Sequence, residues 1–129
     1  EAYVDRTVTA KNFSQVFASA AEVAETRVGD CTEHAVLLAA LARALGLPAR
    51  VAIGLVYVEP AQAFGYHMWT EVYVDGRWTP LDATLAQGGI GPTHLKLAHS
   101  NLEGASAYSA FLPVMRVLGQ LHIDVLDYE

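Results

Sequence analysis

Three residues of this 129-residue chain could together attack a carbonyl and move a proton: Cys31, His67 and Asp82. The last two bound the segment HMWTEVYVDGRWTPLD, residues 67 to 82. Its Asp75-Gly76 pair favours a two-residue turn, so Val74 faces Arg77 and each earlier residue faces a later one, up to Trp69 opposite Asp82. In that register His67 faces Thr84, and Asp82 becomes its diagonal neighbour on the same face, within side-chain reach. A one-residue slip would send the pair to opposite faces. An aspartate that accepts from one imidazole nitrogen sets the tautomer and leaves the other nitrogen for a proton or a metal. Taken alone, the pair also fits a structural clasp across a hairpin.

Cys31 supplies the third group. Gly29 punctuates the chain, Asp30 can cap a helix and Glu33 stands three residues later, a capping-box spacing that predicts a helix from Cys31 to about Ala44. Gly46 and Pro48 end it. In the first turn, the positive end of the macrodipole and unpaired N–H groups favour thiolate over thiol. A nearby imidazole would stabilise that thiolate as an ion pair, and the Cys31 main-chain N–H could serve an oxyanion. The alternative is a cysteine packed as a small hydrophobe. Against it, Cys31 lies between a glycine turn and a cap and not on the leucine face of the helix.

The elements around these residues follow from pattern. Asn12 with Gln15 and Ser19 with Glu22 repeat the capping-box spacing, which predicts helical starts before FSQVFASA and AAEVAETR. Phe13, Val16, Phe17, Ala20, Ala21 and Ala24 would share an apolar face. ARVAIGLVYV, residues 49 to 58, reads as a buried strand, residues 59 to 66 as a loop, and residues 88 to 94 as a glycine-rich loop. GASAYSAFLPVMRVLG has helical spacing interrupted at Pro113, and LHIDVLDY alternates like a closing strand. Helices and antiparallel strands in separate runs make an α+β domain.

Composition bounds the function. With 53% hydrophobic and 17% charged residues, no repeat and no linker, residues 1–129 are expected to form one domain. A net charge of -6 with only 8 Lys plus Arg argues against nucleic acid or an anionic membrane surface as partner. The longest apolar run, residues 35 to 47, is broken by Arg43 and too short to span a bilayer. A single cysteine excludes an internal disulfide and a multi-cysteine zinc site. The chain opens at Glu1 without Met or signal sequence and is expected to be part of a longer protein.

The run GDCTEHAVLLAALARALGLPARVAIGLVY followed by HMWTEVYVDGRWTPLDAT resembles the core of the transglutaminase-like superfamily, whose fold is related to papain-like thiol proteases. The resemblance covers roughly residues 19 to 84: G-x-C, an apolar helix ending in GLPAR, H-x-W-x-E-V-Y, a G-x-W hairpin and D-x-T. It implies a fold in which the nucleophile helix bearing Cys31 packs on the antiparallel sheet, that Cys31 is a nucleophile, that His67 exchanges protons with the leaving and entering groups, and that Asp82 orients His67. The implied activity is acyl transfer or amide hydrolysis through a thioester, on a protein or peptide substrate. No cofactor is implied; the calcium used by animal transglutaminases is not carried over, because no D-x-D-x-D-G loop is present. A second oxyanion donor could be Trp69 or Asn12, with packing the favoured role for Trp69.

Two other readings use the same residues. Cys31, His34, His67 and Asp82 could ligate a metal, since His34 stands one turn from Cys31. The fold could also serve as a binding or scaffolding module without turnover. Glu33 is expected to act as the capping partner, His34 as an early-helix polar residue and Glu71 as a structural partner of Arg77 or Arg50. His94, His99 and His122 follow no ligand spacing and are expected at the surface or at helix ends.

Overall fold

A computed structural model describes residues 1–9, 18–85, 90–104 and 109–124. The elements run α1 (Ala2–Thr7), α2 (Ala20–Thr26), α3 (Cys31–Ala44), β1 (Ala49–Val58), a 3-10 turn (Glu59–Ala61), β2 (Ala63–Val74), β3 (Arg77–Leu81), β4 (His94–Ser100) and α4 (Phe111–Val117). The strands form one antiparallel sheet in the order β3-β2-β1-β4. This is an α+β fold built around the longest helix.

Two capping boxes start helices where the sequence places them. Ser19 and Glu22 exchange bonds at α2, and Asp30 and Glu33 do so at α3. The Asn12–Gln15 pair, with Phe13, Val16 and Phe17, lies outside the described residues. On α2 the buried residue is Val23, while Ala21 and Ala24 are exposed. The expected alanine face is therefore displaced to the side that meets α1 and α3.

Helix α3 is apolar nearly all round because it is covered on both sides; nine of its 14 residues are buried. Ala35, Val36, Ala39 and Ala42 pack with Val51, Ile53, Met68 and Val72 of the sheet. Leu37 and Leu38 pack with Val4 and Val23 from the short helices and with Val8 just after α1. The Thr70 hydroxyl donates to the Ala35 carbonyl at 2.9 Å, pinning β2 to the helix within the core.

The Asp75-Gly76 turn has the predicted geometry: both residues have positive φ, at 53° and 79°, the pair of conformations a type I′ turn requires. Val74 pairs with Arg77, and the register continues to Thr70 opposite Leu81. Asp82 follows directly. Residues 63 to 66, expected in a loop, instead extend β2 so that it matches the whole of the ten-residue β1.

The fourth strand differs from expectation. It is β4, residues 94 to 100, and it pairs with β1; residues 121 to 124 of the expected closing strand carry no strand structure, and residues 125 to 129 lie outside the described set. Pro113 does not break α4 but sits in its first turn, where a missing N–H costs nothing. Gly54 on β1 makes room for β4. A Cβ there would lie 2.0 Å from the Leu95 carbonyl oxygen and 3.0 Å from the Trp69 ring, and the β1–β4 register shifts between Ile53 and Gly54.

Candidate active site

Cys31 is the first residue of α3 and is half-buried. The start of the helix is tightly held. Asp30 accepts the Thr32 N–H at 2.8 Å, and the buried Glu33 carboxylate accepts the Asp30 N–H at 3.0 Å and the Ala18 N–H at 3.3 Å. Burial, assisted by Asp30, raises the Glu33 carboxyl above its ordinary value. Gly29 of the G-x-C motif has a physical reason: a Cβ on it would stand 2.2 Å from the Glu33 Cβ. His34, the early-helix polar residue, is buried and donates from Nδ1 to the Asp30 carbonyl at 2.7 Å, which makes it part of this scaffold.

His67 and Asp82 meet as the hairpin register predicts. Nε2 of the ring lies 2.6 Å from Asp82 Oδ2, with both side chains buried. The Cys31 thiol lies near enough to His67 to favour the charged ring. With Nε2 committed to Asp82, Nδ1 is the nitrogen left for the thiol. Burial of the ring opposes its charge, but Asp82 and Cys31 outweigh burial and lift His67 to about 9. Burial likewise opposes the Asp82 charge, and the bonds from His67, His94 and the Leu85 N–H bring that carboxyl down to about 2. Tyr66 stands beside Cys31; burial, reinforced by Cys31, pushes its phenol up.

The Asp82 carboxylate is fully used. Oδ1 accepts the Thr84 N–H at 2.9 Å and the Leu85 N–H at 3.2 Å, turning the chain away from β3. Oδ2 takes His67 and also His94 Nε2, at 3.1 Å. The expectation for His94 is thereby corrected: its side chain is only 4% exposed, while His99 and His122 are exposed as expected. Its signal was the alternation in HLKLAHS, residues 94 to 100, which marks a strand starting at the end of the glycine-rich loop. Trp69 packs edge-on to His94, centroids 5.3 Å apart, and 6.2 Å from the His67 ring. Asn12, the other suggested oxyanion donor, lies outside the described residues.

Among the described residues, the side chains that converge closely enough for a cation are His67, Asp82 and His94, whose donor atoms lie within 4.8 Å of one another. Cys31 and His34 of the suggested metal set are not in that group. The Nε2 to Oδ2 distance of 2.6 Å is hydrogen-bond spacing; ligands of one tetrahedral zinc stand roughly 3.3 Å apart, from metal–nitrogen bonds of about 2.0 Å. Glu71, on β2, accepts from Arg50 and Lys96, both at 2.6 Å, and the Arg50 guanidinium lies 3.9 Å over Trp78. Its role in tying β1, β2 and β4 together is structural, with Lys96 as the partner that spacing did not indicate.

The fold and the arrangement of helix and sheet define an α+β architecture of the transglutaminase and papain-like kind. The family model of the transglutaminase-like superfamily matches residues 1–83, and the chain belongs to that superfamily of thiol enzymes. Among solved structures, a candidate cysteine protease from Cytophaga hutchinsonii is similar, with a TM-score of 0.68 and 25% identity over 84% of this chain and 36% of that one. This chain thus spans about a third of the length of that protein. A comparison with curated proteins finds no match.

Proposed function

We propose that this chain carries out acyl transfer or amide hydrolysis on a protein or peptide substrate through a thioester on Cys31. The observation that carries the reading is the buried His67–Asp82 pair at 2.6 Å with the Cys31 thiol close enough to favour the charged ring. Cys31 thiolate attacks a carboxamide or peptide carbonyl, forming the C–S bond and moving the carbonyl electron pair onto oxygen. The Cys31 N–H at the start of α3 is the proposed donor to that oxyanion. As the oxyanion collapses, the C–N bond breaks and the His67 imidazolium gives its proton to the departing amine. A His67 raised to about 9 is protonated at neutral pH, which suits this acid role.

Water or an amine then attacks the thioester, passes its proton to His67 and expels the Cys31 thiolate, restoring the ion pair. An amine gives cross-linking; water gives deamidation or proteolysis. Asp82 acts through His67 as a positioning residue. The test is ammonia release from glutamine-containing peptides, with and without an added primary amine, and intact-mass detection of the acyl-enzyme. The expected result is turnover that Cys31→Ser abolishes. A Cys31→Ser protein as active as the original would contradict a thioester, and absence of any acylation across such peptides would favour a binding module that keeps the fold.

A further inference from the structure

We propose that His94 is a fourth member of the site: a positioning residue whose Nε2–H shares Asp82 Oδ2 with His67 and so limits how strongly Asp82 holds the His67 proton. The inference rests on the thiol-enzyme reading only for its consequence, since the geometry stands by itself. His94 opens β4 and pairs with Val56, whereas His67 lies on β2 and pairs with Gly54. The two histidines thus come from strands on opposite sides of β1. Their rings still approach to 5.6 Å between centroids. Between them lies Gly54, which offers no side chain and which accepts the close approach of Leu95.

The surroundings of His94 keep its ring in place. The edge of Trp69 packs against it, and Nδ1 faces the Thr93 hydroxyl at 3.2 Å. A neutral ring with its proton on Nε2 satisfies both contacts, donating to Asp82 and accepting from Thr93. The other charged groups near it are accounted for: Lys96, two residues along β4, is paired with Glu71, and Asp82 Oδ1 is held by two main-chain N–H groups. Oδ2 is therefore the oxygen through which His94 can act on His67.

A donor on a carboxylate stabilises its charge most when that charge is otherwise uncompensated, as it is when His67 is neutral. Removing the donor makes neutral His67 less favourable and raises its titration midpoint. For a residue that must release a proton in one half of the cycle and take one up in the other, this sharing keeps the base half accessible.

The experiment is the imidazole nitrogen NMR titration of His67 in the full chain carrying His94→Gln, His94→Asn or His94→Phe. Gln carries its amide nitrogen at about the height of Nε2 and retains the bond to Asp82; Asn is too short to reach it. The expected result is a His67 midpoint raised by roughly half to one pH unit in the Asn and Phe variants, the equivalent of one modest hydrogen bond, and unmoved in the Gln variant. The Asn and Gln variants keep a polar group at the site should the Phe variant fail to fold. Equal midpoints in Asn and Gln variants, whether moved or not, would overturn the proposal. The readout is the proton on His67 and not thiol reactivity, so it stands whether or not the thioester chemistry of the preceding section does.

Discussion

In the proposed cycle His67 works first as an acid and then as a base, and its surroundings pull it towards the acid. Its neighbours Asp82 and Cys31 prevail over burial and raise it from 6.5 to about 9. A folded-state value above the unfolded one means that the stability this histidine contributes is fully present below about pH 6.5 and is lost as pH rises through about 9. Asp82 has the opposite sign: lowered from 3.8 to about 2, it contributes above 3.8 and loses that contribution as pH falls through about 2. The thermal midpoint of His67→Gln should therefore lie furthest below that of the original protein near about pH 6 and approach it towards about pH 9.5. Paired thermal melts across that range check this, and a constant gap would show that His67 acts on stability through packing alone.

At the scale of the elements, what was local in the sequence was legible. The start of α3 at Cys31 followed from Asp30 and Glu33, and the approach of His67 to Asp82 followed from the two positive-φ residues of one turn. What was not legible depended on pairing between distant strands. The β2 extension over residues 63 to 66 exists because β1 offers ten residues to pair with, and His94 reaches Asp82 because β4 closes on β1 over Gly54. Neither partner is announced by its own neighbours in the chain. The G-x-C glycine belongs to the legible class once its reason is known. Gly29→Ala forces a Cβ within 2.2 Å of the Glu33 Cβ, displacing the carboxylate that holds the Asp30 and Ala18 N–H groups. We expect a loss of about 1 to 3 kcal/mol in urea denaturation, the range for overpacking with a broken buried bond; a change below about 0.3 kcal/mol would refute the role assigned to this cap.

On the scale of the whole molecule, α3 is the central member: it is packed between the sheet and the short helices, and it carries the half-buried thiol at its N-terminal end. Size of cavity is a poor guide to the chemistry. The apolar groove of about 710 Å³ beside Tyr3, Leu41, Leu45 and Val74 lies along the other end of α3 and is lined by none of Cys31, His67 and Asp82. Among the described residues no helix is long and apolar enough to cross a membrane. The fold therefore brings together one helix terminus, one hairpin and one edge strand at a single place, and the proposed function depends on the thiol there being paired with an imidazole. The measurement that tests this most directly is the rate of Cys31 alkylation by iodoacetamide from about pH 4 to about pH 9, followed by intact mass beside His67→Ala and Asp82→Asn. The expected result is a reactive plateau that persists below about pH 7, is lost in His67→Ala and is weakened in Asp82→Asn. A rate that rises only near about pH 8.5, as for a free thiol, and is the same in all three proteins would contradict it.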